Sequence, residues 1–215
     1  MWKIFKKNAA FPGFYLLFIL AVLAAIGIFL GSRFNTAFAI LSGMVLLIYI
    51  LGATFINEQY EEKHKGYTFL SSFPVKDSEI LGAKFLILLV AGLLLTGFLV
   101  TLFSLTDIQP QDLVTVRSYL MFMASFALLM GGILYIGIMA VGYTKFMVVV
   151  LTFTTALGLV PMLILKFYRD SIGDVIAGFI AWLQAVNWLL LAPLVLVLYA
   201  GLYCLAVQVK SLRSA

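Results

Sequence analysis

The sequence predicts an all-α, polytopic membrane protein with six transmembrane helices, and three observations predict it. Of 215 residues, 64% are hydrophobic and only 11% are charged, whereas a soluble domain carries roughly 25% charged residues to cover its core with a polar skin. Six runs reach the roughly 20 apolar residues that a bilayer core of about 30 Å requires of a helix. None of the six contains Asp, Glu, Lys, Arg or His. The length suits one bundle, so residues 1–215 are expected to form a single transmembrane domain.

The first run, Pro12–Leu30, follows Lys3, Lys6 and Lys7 and in that respect looks like a signal peptide. It is long for the apolar part of one, and it ends in Leu30-Gly31-Ser32-Arg33 without a small-x-small cleavage site, so it is read as a retained span. Upstream, Met1–Asn8 interleaves Trp2, Ile4 and Phe5 with the three lysines, the pattern of a short helix in the head-group zone. The other spans are Ala37–Ile56, Phe85–Leu105, Tyr119–Gly142, Phe146–Leu165 and Trp188–Gln208. Gly27 and Gly31 form a Gly-x-x-x-Gly pair near the outer end of the first span, a spacing that favours close helix packing. Pro161 and Pro193 fall inside the fifth and sixth spans and are expected to kink them.

Direction follows from the cations, which concentrate on the cytoplasmic side of membrane proteins. With the N-terminus inside, Lys3, Lys6, Lys7, Lys63, Lys65, Lys76, Lys84, Lys145, Lys210 and Arg213 face the cytoplasm, while Arg33, Arg117, Lys166 and Arg169 face out. Both termini are therefore expected inside. The net charge of +5 arises from cations at the ends of apolar runs, where they anchor to anionic head groups, so no nucleic-acid partner is implied.

Three connections are short: Gly31–Thr36, Thr106–Ser118 and Tyr143–Lys145. Two are long. On the outer side, Ile172, Val175, Ile176, Phe179, Ile180, Leu183 and Val186 recur at helical spacing within Lys166–Asn187. That segment, about 171–187, is too short and too interrupted for a seventh span. It is either a helix lying in the outer interface or a re-entrant element that dips in and returns. On the cytoplasmic side lies Asn57–Lys84. Its first part, Asn57 to Gly66, continues the second span as a charged helix. Glu58 and Glu62 share a face there, as do Glu61 and Lys65. Tyr67, Phe69, Leu70 and Phe73 follow, and Pro74 stops the helix. Asp77 or Ser78 is expected to cap the next helix, with Glu79 in its first turn, leading into the third span. The segment is thus a short helix across the cytoplasmic face, suited to touch a partner or to pack on its own bundle.

Several chemistries lack their residues. Ion-coupled transporters use an ionisable group within a span, and the apolar runs have none. The single histidine, His64, lies among charges outside the spans, and the single cysteine, Cys204, makes neither an intrachain disulfide nor a metal cluster. No phosphate-binding Gly-x-x-x-x-Gly-Lys-Ser/Thr loop occurs. Accordingly no catalytic, cofactor-binding or metal residue is assigned, and the chain is not expected to be an enzyme. If it moves a substrate, the energy comes from a partner.

The run Glu62-Lys63-x-x-Gly66-Tyr67-x-x-Leu70-x-Ser72-x-Pro74-Val75-x-x-Ser78-Glu79-Ile80-x-x-x-Lys84 resembles the signature of ABC-2 type permeases, the membrane subunits of bacterial ABC exporters. The layout resembles the short, six-span branch of that family along the whole chain, with the segment 57–84 as its coupling helix. The resemblance implies a multi-pass subunit of the bacterial cell membrane, working as a pair of permeases, expected to be two copies of this chain, with two copies of a separate ABC ATPase. ATP and Mg would be bound by that ATPase. Its contact surface would lie on Tyr60, Glu61, Glu62, Lys63, Lys65, Gly66, Tyr67, Phe69, Leu70, Phe73 and Pro74. His64 stands where many relatives carry an acidic or basic residue, and Tyr67 where many carry Thr, which bears on the contacts of those side chains. Some short permeases of this kind are similar to exporters of amphipathic peptides such as phenol-soluble modulins, and a pathway without charged side chains suits such cargo. The alternatives are a membrane scaffold or sensor subunit that recruits a cytoplasmic partner without transport, and a channel for uncharged substrates.

Overall fold

The computed structural model describes residues 19, 22, 36–63, 76–105, 110–150, 152 and 169–214. The described residues form five named helices: α1 (Thr36–Lys63), α2 (Asp77–Ser104), α3 (Pro110–Val141), α4 (Arg169–Ala185) and α5 (Trp188–Ser214). Residues 143–150 are also helical, and no strand occurs among the described residues. Four helices contain stretches long and apolar enough to cross a bilayer: Leu41–Gln59, Ser78–Ser104, Leu113–Val141 and Leu191–Leu212. They correspond to the second, third, fourth and sixth spans read from the sequence. Met1–Asn8, Gly27, Gly31, Pro161 and most of the first and fifth spans lie outside the described residues.

The helices overrun their apolar runs. α1 continues from Ile56 to Lys63, α2 starts at Asp77 instead of Phe85, and α3 starts at Pro110 instead of Tyr119. An apolar run measures the length in contact with hydrocarbon, but a helix continues for as long as its backbone bonds are met. Proline suits the first helical position, because its missing N–H has no intrahelical partner there anyway. The cap of α2 departs from expectation. Lys76, with φ −74° and ψ 143°, is the N-cap and makes no side-chain capping bond, so Asp77 and Ser78 are the first two helical residues. The Lys76 carbonyl accepts from the amides of Glu79 at 2.9 Å and Ile80 at 3.3 Å. α5 passes unbroken through Pro193, which sits early enough that only a carbonyl of the first turn loses its donor.

α3 is the central helix and packs on α1, α2, α4 and α5. Its partners present stripes at three- and four-residue spacing: Leu46, Tyr49, Ile50 and Ala53 on α1, and Leu81, Phe85, Leu88, Leu95 and Leu99 on α2. Two glycines allow the closest approaches. At Gly43 the Tyr119 ring fills the space a Cβ would take, and at Gly137 the Phe146 ring does so. The reversal after α3 uses one residue, Gly142 at φ 87°. Its amide donates to the Ile138 carbonyl at 2.8 Å and its carbonyl accepts from Phe146 at 3.0 Å. The expected turn at Tyr143–Lys145 is therefore the start of the next helix.

Outside the core, large apolar side chains such as Ile48, Leu93, Leu94, Val197 and Leu198 are exposed. Patches of that extent are not tolerated in water, and lipid is the solvent that covers them. α4 meets α3 at two levels. Gln184 Nε2 donates to Thr115 Oγ1 at 2.7 Å, while Phe179 and Trp182 pack on the Phe122 ring with centroids 5.4 and 5.9 Å apart. Thr115 and Phe122 are separated by about 10 Å along α3, and Phe179 to Gln184 covers about 8 Å of α4. A helix lying flat in the head-group plane would touch α3 at one level, so the second half of α4 leans along α3, antiparallel to it.

Gly137→Ala is expected to lower stability by about 1–3 kcal/mol, because the Phe146 ring must move. Gly201→Ala meets nothing within 4 Å and is expected to stay within about 0.5 kcal/mol of the parent. Thermal denaturation in detergent compares the two.

Candidate functional site

The C-terminal end of α1 reads Asn57-Glu58-Gln59-Tyr60-Glu61-Glu62-Lys63. Helical spacing makes both Glu61 and Glu62 neighbours of Glu58; in the structure Glu58 and Glu61 are buried and Glu62 is exposed. On the neighbouring helix, Lys84 falls within the stripe that carries Leu81, Phe85 and Leu88, so its position on the core face of α2 is set by the apolar residues around it. The two faces meet. The Lys84 ammonium is hydrogen-bonded to Glu58 Oε1 and, at 2.9 Å, to Glu61 Oε2. The side chains are 0% exposed for Lys84, 1% for Glu58 and 4% for Glu61. The ammonium also lies 5.9 Å from the centroid of the Tyr135 ring on α3, close enough for a cation–π attraction.

An aromatic cluster closes over this ion triad. The Phe85 ring packs against Tyr135, Tyr199 and Tyr203, with centroids 5.4, 5.1 and 5.6 Å apart. Tyr199 Oη donates to the Phe85 carbonyl at 2.9 Å, and Tyr203 Oη donates to the Ser78 carbonyl at 3.0 Å. These bonds tie α5 to the first turns of α2. Glu62, on the exposed side of α1, accepts from Thr144 Oγ1 at 2.7 Å and so links α1 to the corner that follows α3. Burial, with Glu62 and Glu58 adding to it, raises the pKa of the nearby Tyr143 phenol.

The residues expected at a partner surface are thus divided. Glu61 is turned inward onto Lys84, and Glu62 faces out. Tyr60 and Lys63 belong to α1. Lys65, Gly66, Tyr67, Phe69, Leu70, Phe73 and Pro74 lie outside the described residues, as do His64 and the glycine pair Gly27 and Gly31. The close packing that is described uses Gly43 and Gly137 instead. The sequence reading paired Glu58 with Glu62 on one face and Glu61 with Lys65; the structure joins Glu58 and Glu61 through Lys84. The signal was present, since a lysine three residues after Leu81 and four before Leu88 lies on an apolar stripe. Chemically, the triad neither cleaves nor transfers. It fixes the end of α1 against the start of α2, and those are the two roots of the segment 64–75.

Residues 3–209 match the family model described as ABC-2 family transporter protein. Comparison with curated proteins and with solved structures finds no match.

Lys84→Met removes the only described cation between two buried carboxylates and is expected to cost about 3–5 kcal/mol of stability. Combining it with Glu58→Leu and Glu61→Leu is expected to restore most of that loss, since an apolar replacement of a buried ion group is often neutral. Tyr203→Phe is expected to cost about 0.5–1.5 kcal/mol for one lost hydrogen bond. Melting of the detergent-solubilised variants checks all three.

Proposed function

The chain belongs to the ABC-2 transporter family, and on that premise we propose that it is the permease subunit of an ATP-driven exporter. The observation that carries the proposal is the family match over residues 3–209. It is supported by the construction of the cytoplasmic base. α1 leaves its apolar run as a charged helix, ends at Lys63, and the chain re-enters α2 at Asp77. Between these ends lies the segment with Gly66, Tyr67, Leu70 and Pro74 that resembles a coupling helix. A separate ABC ATPase, binding ATP and Mg, docks there and supplies the energy; the six apolar runs of the sequence carry no ionisable group of their own to harvest it. Two permeases, both copies of this chain, work with two ATPases in a bacterial cell membrane, with the termini cytoplasmic. The cargo is amphipathic or hydrophobic, of the amphipathic-peptide class, because a pathway walled by apolar side chains accepts such a molecule from the lipid.

Within the coupling segment, Glu62 and the residues from Lys63 to Pro74 are the contact surface, and Glu61 serves from beneath. Tagged protein purified in mild detergent is expected to carry a soluble ATPase in equal copy number. Its ATPase rate in liposomes is expected to rise when an amphipathic helical peptide is added. Glu62→Lys with Gly66→Pro is expected to abolish that rise while leaving the melting temperature of the permease in place. A co-purified ATPase that ignores every such peptide would instead identify a recruiting scaffold.

A further inference from the structure

A buried ion group is an expensive way to hold two helices together. Apolar residues of the same volume would serve stability as well or better, and the neighbours of the triad are already apolar: Leu81, Phe85 and Leu88 on α2, Tyr135 on α3. What an apolar contact does not supply is register. Hydrophobic attraction is non-directional, so two greasy helix faces can slide or rotate past each other at little cost. The triad behaves differently. A slip of α1 along α2 by one turn, about 5.4 Å, would separate all three charges in a place where none of them is more than 4% exposed. Each separated ion would then cost several kcal/mol.

We propose that Glu58, Glu61 and Lys84 form a register clamp that makes the two roots of the cytoplasmic segment 64–75 move as one rigid body, so that displacement of the segment is delivered to α1 and α2 together. The three are positioning residues and touch no cargo. Three placements support this. The clamp sits at the cytoplasmic ends of both helices, Glu61 two residues before Lys63, where the described part of α1 ends, and Lys84 two turns into α2. It is braced from the far side, where Tyr203 and Tyr199 of α5 hold the carbonyls of Ser78 and Phe85 on either side of Lys84. The other link from the α1 end, Glu62 to Thr144, is exposed, and an exposed bond is easily exchanged with water. At the end of α1, then, the buried polar link runs to α2, while the link to the corner at Gly142 is exposed.

The clamp deepens the permease function and rests on it, so its test separates the two. Spin labels at Gln59→Cys and Leu86→Cys, both exposed and flanking the triad, report the spacing of the roots in nanodiscs once the exposed Cys204 is replaced by Ser. In the complex with its ATPase, with doubly labelled permease diluted into unlabelled copies so that only the distance within one copy is read, the clamp predicts one narrow distance, unchanged between the nucleotide-free and ATP-bound states. A shift or a second population on adding ATP overturns it, and this arm needs no change to the triad. In the second arm, Glu58→Gln, Glu61→Gln and Lys84→Met together are expected to broaden the distribution and to cut the peptide-dependent rise in ATPase rate at least about fivefold, the lower end of ordinary coupling between sites. Glu61→Lys with Lys84→Glu, which reverses one pair and keeps the charge count, is expected to narrow the distribution and to recover the rise. A neutral variant that couples as well as the parent overturns the clamp. Absence of any ATPase from the purified parent protein would instead overturn the permease function, and the label distance in the permease alone would still read the clamp directly.

Discussion

Lys84 has no exposed side-chain surface, and its ammonium is shared between Glu58 and Glu61 on the neighbouring helix. An isolated charge in that position would be far too costly, so the carboxylates and the lysine require one another. That requirement propagates outward. It fixes which face of α1 turns inward at its C-terminal end, leaves Glu62 on the outside, and brings the Phe85 backbone to where Tyr199 reaches it. With Tyr203 on Ser78, the hydroxyls of α5 then secure the N-terminal end of α2. This end of the bundle is a polar knot surrounded by aromatic rings, and the described helices above it are held mainly by packing.

Above the base, the solvent changes and so do the forces. Between helices in lipid there is little hydrophobic drive, because lipid tails are as apolar as leucine, and contact depends on shape. This is why small residues matter at the closest approaches. Tyr119 lies on Gly43 and Phe146 on Gly137, where a β-carbon would collide with the ring. It also explains the outer faces of α2 and α5, where Leu93, Leu94, Val197 and Leu198 stand free of protein. They are unremarkable against hydrocarbon and would be prohibitive against water.

Much of the fold was legible because lipid imposes a simple code. Runs of apolar residues of bilayer length identify spans, and four of the six reappear as described helices. The helical stripe around Phe179 and Leu183 was legible for the same reason, as a periodicity. Its tilt was not, because tilt depends on where Gln184 and Phe179 find partners on α3, a matter of side-chain reach that spacing does not encode. The helical continuation past Ile56 and the helix start beside Asp77 were legible too, but the capping residue was not. Polar residues such as Glu58, Glu61 and Asp77 end an apolar run without ending a helix, and Lys76 caps α2 with its backbone alone.

The sequence by itself determined the solvent of this protein, its all-helical class and the family it belongs to, since each depends only on composition and order along the chain. The tertiary structure alone decided which charges are working surface and which are buried framework. Three carboxylates within five residues look alike in sequence, and helix geometry only divides them into faces. It took the arrival of Lys84 from α2, 23 residues from Glu61, to draw Glu58 and Glu61 inward and leave Glu62 facing out, because a buried charge is tolerated only where its opposite is already waiting.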